Sequence, residues 1–392
     1  SAIMLSTGGM MMFILAIITC IFWFVVFWDA SVGMRKIVRL ESVQSNITTG
    51  PLISIIVAAK DEEKHIKESV LSQLEQTYEN IEWIIVNDRS TDKTGDIIDK
   101  LATHDKRVTA IHIKELPNSW LGKNYALYKG YMKSNGDYLL FTDADVIYDP
   151  TIISRAINFF DHKKLDHLTV APNLKGSSFW TNAFISFFLF GFSYFKRPWK
   201  ANDSKSKNAI GIGAFNLISR EVYEEIGTHQ SISMRPDDDL MLGLKVKQAG
   251  KKQNLALAND LLEVEWYSTL RTALIGLEKN TFAGLFYSYL MVAFALCGVF
   301  ISQVWPFLAL VFTEGMTRIV FLLSIFLLFL TYLLTANMMT KGAKMYFFVF
   351  PITAVIFMYS IIRSTVLTTV RGGIVWRGTF YSLKDLKRNK VS

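Results

Sequence analysis

Hydrophobic and polar positions divide this chain into two regimes. Apolar residues run almost unbroken through Met10 to Trp28, Ala283 to Phe312, Ile319 to Ala336 and Tyr346 to Ile362. Each block approaches the length that crosses about 30 Å of hydrocarbon as a helix. From about Val43 to Thr281, short β-branched runs alternate with amphipathic stretches, the pattern of an α/β domain. Leu52 to Ala58 reads as a buried strand, and Glu62 to Gln76 predicts a helix with Ile66, Val70, Leu71 and Leu74 on one face. A second strand, Ile81 to Val86, ends in the polar turn Asn87-Asp-Arg-Ser-Thr-Asp92 ahead of a helix over Gly95 to Leu101. Val108 to Ile113 follows as a third strand, with a helix around Tyr125 to Ser134. Asn135-Gly136 then turns the chain into a fourth strand, Tyr138 to Thr142.

The flanks of the apolar blocks predict a topology. The first block lacks the basic start and small-residue cleavage site of a signal peptide, and Arg35, Lys36 and Arg39 follow it, so we read a retained anchor. Those basic residues place the polar region inside the cell and the N-terminus outside. Phe179 to Phe195 is aromatic but cut by Asn182, Ser186 and Gly191, and Lys196-Arg-Pro-Trp199 follows. It is expected to lie on the bilayer surface, with a buried core helix as the other reading. Three C-terminal crossings would leave the basic stretch Arg363 to Lys390 outside, against the usual charge bias. We therefore expect the block around Trp305-Pro306 to be re-entrant or interfacial, returning the tail to the catalytic side. The resulting layout is an anchor over residues 1–34, an α/β domain over 35–281, membrane helices over 282–362 and a basic cytoplasmic tail over 363–392.

The net charge of +8 comes without a basic stripe interleaved with stacking aromatics, so anionic lipid head groups explain it better than nucleic acid. Cys20 and Cys297, the only cysteines, both fall in apolar blocks and form neither a disulfide framework nor a zinc spacing.

Ligand chemistry in open α/β sheets gathers at the carboxyl ends of strands. Three of these ends carry acidic clusters: Asp61-Glu62-Glu63, Asp88 with Asp92, and Asp143 with Asp145. In Thr142-Asp-Ala-Asp145 two aspartates one residue apart can present one carboxylate to a divalent ion, Mg2+ or Mn2+, and the other to a ribose or sugar. Such ions take hard oxygens and keep sites open for phosphate. A pair of solvated turn aspartates is the alternative.

Taken in order, these segments resemble the inverting family-two glycosyltransferases with a GT-A fold. Val57-Ala-Ala-Lys-Asp-Glu-Glu63 is similar to that family's opening segment, and Val86-Asn-Asp-Arg-Ser-Thr-Asp-Lys-Thr94 to its second. The resemblance implies that Ala59 and Glu62 line uridine and ribose and that Asp88 contacts the base. The chain departs from the pattern with Ala58 for Pro, Asp61 for Asn and Arg89 for Gly. Trp120-Leu-Gly-Lys-Asn-Tyr-Ala-Leu127 resembles the segment ahead of the metal motif, implying that Lys123 faces donor phosphate, with Asp145 on the metal and Asp143 beside it. Gly211-Ile-Gly-Ala-Phe-Asn216 resembles the acceptor side of the pocket, which brings in Gly213 and Ala214.

Arg235-Pro-Asp-Asp-Asp-Leu-Met-Leu-Gly243 resembles the segment carrying the catalytic base. By that resemblance Asp239 is the base and Asp238 replaces a glutamate, while Asp237 is free to cap the helix that follows. Three crowded carboxylates should raise at least one pKa, which suits a base.

Trp266 with Gly276 to Gly284, and Gly372 to Tyr381, resemble the bacterial branch that includes carotenoid-acid and hopanoid-associated glycosyltransferases. Trp376 and Arg377 would then join Trp266 on the acceptor side, although Thr379 stands where that branch has a second basic residue. The Gln-x-x-Arg-Trp segment of processive synthases is missing.

The implied function is transfer of one sugar, glucose first, from a UDP-sugar to a carotenoid, polyisoprenoid or glycolipid acceptor at the cytoplasmic membrane face. A processive polysaccharide synthase, or a membrane protein with a degenerate nucleotide-sugar domain, are the rival readings. The oligomeric state is left open.

Overall fold

A computed structural model describes residues 7–376 and 379–388. In chain order its elements are α1 (Thr7–Met34), β1 (Val38–Arg39), β2 (Ile53–Ala59), α2 (Ile66–Leu74), β3 (Ile81–Asp88), α3 (Thr94–His104), β4 (Val108–Ile113), α4 (Gly122–Tyr131), β5 (Tyr138–Asp143), β6 (Val146–Tyr148), α5 (Ile152–Lys163), β7 (His167–Gly176) and α6 (Phe179–Lys196). After these come β8 (Asn216–Ser219), α7 (Arg220–Glu225), α8 (Asp238–Gln248), β9 (Gln253–Tyr267), α9 (Leu270–Gly284), α10 (Tyr289–Val299), α11 (Trp305–Phe312), α12 (Gly315–Met339) and α13 (Phe350–Arg371). They form two compact units.

The first unit, built from Lys36–Lys175 and Pro198–Trp266 with the segment after Ile374, is a mixed α/β domain of the GT-A type. Its sheet runs β1-β9-β7-β8-β5-β2-β3-β4, with β6 on β9. The four strands expected from the sequence are the parallel group β5-β2-β3-β4. β2 is buried along its whole length, which explains its continuous Ile/Val/Ala run: a central parallel strand is covered on both faces. Ile53, Ile55 and Val57 face the core beneath α2 and α5, while Ile56 and Ala58 face the one beneath α4 and α8. Register aligns the strand ends. Ala59 pairs with Asn87, and Ala58 with Asp143, so the loops after β2, β3 and β5 open at one edge.

Element boundaries differ from the periodicity in informative ways. β3 extends past Val86 because Asn87 and Asp88 still pair with His112 and Ile113 of β4. α2 starts at Ile66, not Glu62, because the N–H groups of Glu62 and Glu63 are taken by the side chains of Thr94 and Asp92. Leu71, assigned to its apolar face, is exposed, and Gln73 is buried with Ile66 and Val70 instead. α4 begins three residues before Tyr125.

The second unit comprises residues up to Arg35, Gly176–Arg197 and Tyr267–Ile374. It therefore includes α6 and most of α9, which the sequence layout placed with the α/β domain. Its core joins Trp23, Phe187, Phe190, Leu328, Tyr332 and Phe350. α6 is one continuous helix, with Phe184, Phe187 and Phe190 wholly buried within its own unit, the packing expected of a core helix, while Phe179, Trp180 and Phe195 at its ends stay exposed. Arg197 donates to both carboxylate oxygens of Asp29 at 2.7 and 2.6 Å, tying the ends of α6 and α1.

Among the described residues, four helical stretches are long and apolar enough to cross a membrane: Gly8–Met34, Tyr289–Phe312, Gly315–Met339 and Ala343–Arg371. Their outward faces, with Ile14, Ile18, Val25 and Phe326 exposed, suit hydrocarbon rather than water. The break expected at Trp305-Pro306 is a π-helical turn, Phe300–Val304, through which the helix continues. Pro306 stands directly after that turn, where a local change of helix pitch accommodates a residue that lacks an N–H.

Candidate active site

At the carboxyl edge of the parallel strands, two charged groups are built differently. The first lies where β3 ends. The Asp88 side chain is fully buried, and Arg89 Nε donates to its Oδ1 at 2.8 Å. Asp88 Oδ2 faces the first residue of α4: a Cβ on Gly122 would overlap it and would come within 2.7 Å of the Arg89 guanidinium, so only glycine fits.

Arg89 and Asp61 both adopt left-handed backbone, each with φ 53°. That conformation is one glycine or asparagine takes more easily, and those are the residue types from which the chain departs here. Asp61 offsets the cost with its side chain: its Oδ1 accepts from Thr91 N at 2.7 Å, joining the loops after β2 and β3. Lys60 Nζ donates to the carbonyls of Asp88 and Arg89, at 3.3 and 3.4 Å.

The second group lies where β5 ends and α8 begins. Lys123, one residue into α4, is largely enclosed, its side chain 12% exposed, with Nζ 2.8 Å from Asp143 Oδ1 and 3.6 Å from Asp238 Oδ1. Burial opposes its charge, yet Asp143, Asp238 and Asp239 together raise its pKa above the ordinary lysine value. Asp239 Oδ2 accepts from Gly213 N at 2.9 Å and its Oδ1 from Leu240 N at 2.8 Å. Gly213 O in turn accepts from Asp143 N at 3.1 Å. A side chain at Gly213 would put Cβ 2.6 Å from Asp143 Oδ2, which explains a glycine at this close approach. Burial, and then the Asp238 charge, push Asp239 up to about 7 despite Lys123. Burial, and then Asp143, push Asp145 up to about 6.

Asp143 and Asp145 suit a divalent ion. They are hard oxygen donors on one tight turn, and both the burial of Asp145 and its repulsion from Asp143 would be relieved by positive charge. Among the described residues no group of three His, Cys, Asp or Glu is arranged to hold a metal unaided. Phosphate or water oxygens would have to complete the shell.

Residues 54–227 match the family model described as glycosyl transferase family 2. Over that stretch the chain is similar to family 2 glycosyltransferase domains.

Two curated relatives are informative. The Escherichia coli UDP-Glc:alpha-D-GlcNAc-diphosphoundecaprenol beta-1,3-glucosyltransferase WfaP is 39% identical over 114 residues, covering 29% of this chain and 43% of the relative. The 4,4'-diaponeurosporenoate glycosyltransferase of Staphylococcus haemolyticus is 36% identical over 94 residues, 24% of each. The chain spans less than two thirds of the length of the curated relatives it matches first. In structure the chain is similar to a mannosyltransferase of Pyrobaculum calidifontis solved with GDP-Man and Mn2+. The TM-score is 0.53 at 14% identity, covering 92% of this chain and 99% of that one, a likeness of fold.

The residues singled out from sequence fall into separate groups. Lys123, Asp143, Gly213, Asp238 and Asp239 converge on one small buried cleft. Ala59 ends β2, buried beside Asn87, and Glu62 is held through its backbone N–H to Thr94 at 2.8 Å. Ala214 O accepts from Thr142 Oγ1 at 2.8 Å, so this residue holds the β5 end in place. Trp266 lies two residues past Val264, which pairs with Val146, and so belongs to the same end of the sheet as Asp145. Trp376 closes a short strand, Gly373–Trp376, paired with Thr379–Ser382, and Arg377 lies outside the described residues. Asp237 is at the cap position of α8 but does not cap with its side chain. Its two oxygens take Arg235 at 2.9 and 2.8 Å, a bidentate pair stronger than one backbone bond.

Sequence reading missed the supports of this candidate site. His112 Nε2 meets Asp99 Oδ1 at 2.8 Å, and its Nδ1 meets Asn87 Nδ2 at 3.1 Å, while Asn87 Oδ1 accepts from Ser90 N. This relay fixes the loop that carries Asp88 and Arg89. Behind Lys123, His229 shares a 2.7 Å hydrogen bond with Tyr223 Oη and is pushed down to about 3 by burial and then by Lys123, so it stays neutral. Neither histidine sits in a recognisable motif. Only pairing across β3 and β4, and packing against Phe141, gives them a role.

Proposed function

We propose that the protein transfers one hexose, glucose first, from a UDP-sugar to a lipid-like acceptor at the cytoplasmic face of a membrane, by a single inverting displacement. The observation that carries this reading is Asp239: a half-buried carboxylate held by two backbone N–H groups, with its pKa raised to about 7, in a cleft shared with Lys123 and Asp143. A base poised near neutral pH takes the acceptor hydroxyl proton as the new bond forms at the anomeric carbon. Asp238 keeps that pKa high by repulsion, and Lys123 offers its ammonium to donor phosphate once Asp143 is drawn elsewhere. Mg2+ or Mn2+ on Asp145, with Asp143 beside it, would neutralise the departing diphosphate. If the acceptor is a carboxylate, Asp239 orients it instead.

The lipid-like acceptor is supported by the four membrane-length helices and by relatives named for a diphosphoundecaprenol and a diaponeurosporenoate substrate. Trp266, Trp376 and Arg377 are proposed to border the acceptor entrance, with the tail on the cytoplasmic side.

Lipid extracts of cells with and without the protein, compared by mass spectrometry, test this. We expect a lipid species heavier by one hexose. A ladder of added sugars would establish a synthase, and identical extracts from cells supplied with donor would overturn the proposal.

A further inference from the structure

We infer that Arg89 reads the base of the donor nucleotide, selecting a ring carbonyl over a ring amino group. This rests on the nucleotide-sugar reading above.

The carboxylate of Asp88 is closed on both sides. Its Oδ1 takes Arg89 Nε at 2.8 Å, and its Oδ2 is buried, unpaired and turned toward Gly122. An incoming base therefore meets Arg89 before it meets Asp88. The bond to Asp88 uses Nε, and the terminal nitrogens of Arg89 have no protein hydrogen-bond partner among the described residues. The Arg89 side chain is 22% exposed, where that of Asp88 is not exposed at all. Asp88 thus anchors the guanidinium by one edge and leaves its terminal N–H groups available to a ligand.

The backbone supports the same assignment. Arg89 holds φ at 53°, a conformation disfavoured for a branched-out side chain, and the surrounding structure maintains it: Lys60 bonds the carbonyls of Asp88 and Arg89, and the Asp99–His112–Asn87 relay holds Ser90. Strain sustained this way places the guanidinium at the carboxyl edge of β2 and β3, where open α/β sheets take nucleotides.

A guanidinium has donors and no acceptor. It complements the C4 carbonyl of uracil and opposes the C4 amino group of cytosine. UDP and CDP, which share the diphosphate and ribose, isolate that difference.

The test is calorimetry of UDP and of CDP, each with Mg2+, on the full chain in detergent, for the native protein and for Arg89→Gly and Arg89→Lys. Native protein should bind UDP at least about tenfold more tightly than CDP, the scale of one charge-assisted hydrogen bond. Arg89→Gly suits the backbone at this position, and Arg89→Lys retains a counter-charge for Asp88. Both should weaken UDP by about tenfold while leaving CDP within about threefold, so that the preference collapses. If UDP and CDP weaken equally, Arg89 is only the counter-ion of Asp88 and the inference is wrong. An unchanged preference in both variants also overturns it. If neither nucleotide binds the native protein, the nucleotide-sugar reading on which it rests is removed instead.

Discussion

The two charged groups at the sheet edge are neighbours in space and opposites in balance. At the end of β3, one buried carboxylate, Asp88, has one arginine. At the end of β5, Asp143, Asp238 and Asp239 share Lys123, while Asp145 feels His65 first and Lys123 after it. A matched pair needs nothing further and holds its shape, which suits recognition. An excess of buried negative charge is unstable as it stands and is relieved by a proton or a metal ion, which suits catalysis. The two groups thus differ in how completely each carboxylate is neutralised.

That contrast can be broken experimentally, and the largest effect should come from the unbalanced side. Asp145→Ala is expected to abolish transfer and remove metal-dependent UDP-sugar binding, measured by calorimetry with and without Mn2+. Affinity that still rises with Mn2+ in the variant would take Asp145 out of the metal site.

Next in size, Asp239→Asn should lower turnover by about two to four orders of magnitude while donor affinity stays within about threefold, since amide and carboxylate have the same shape. If Asp239→Asn remains active and Asp238→Asn does not, the base is the neighbouring residue.

The pH dependence follows from the same group. A base with its pKa raised to about 7 must be ionised to act, so kcat/KM should fall about tenfold per pH unit below that value and level off above it. Stability runs the other way. Asp239 binds its proton more tightly folded than unfolded, where the ordinary value of 3.8 applies, so the folded state gains stability as pH falls from about 7 toward 4. Thermal unfolding of the ligand-free protein should show a higher midpoint at pH 5.5 than at pH 8 by this contribution, and Asp239→Asn should reduce the difference.

The smallest effect belongs to the balanced side. His112→Ala removes a hydrogen bond behind the Asp88 loop, and should weaken UDP by about two- to tenfold with turnover at saturation unchanged. A fall in turnover of the same size would show that the two groups are coupled rather than separate.

The sequence by itself determined the parallel strands, the four apolar helices and the chemistry-bearing carboxylates, because each depends on local signals. β2 announces itself as an unbroken β-branched run, and Asp143 and Asp145 as acids at a strand end. Helix starts were less legible: Glu62 reads as helical by periodicity, but its N–H is claimed by Thr94, 32 residues away. The membership of α6 was undecided for the same reason. Its Asn182, Ser186 and Gly191 look like interruptions until Asn182 is seen bonding Gly176, and the aromatic face is seen buried in the helical unit.

Charge balance could be read only in the tertiary structure. Asp88 and Asp143 are equivalent letters after equivalent strands, and what separates them is which cation reaches each: Arg89 bends back on its neighbour, and Lys123 is delivered by α4 into the midst of three other acids. The electrostatic energy of a carboxylate depends on burial and on charges a few ångströms away, and those distances are properties of the fold.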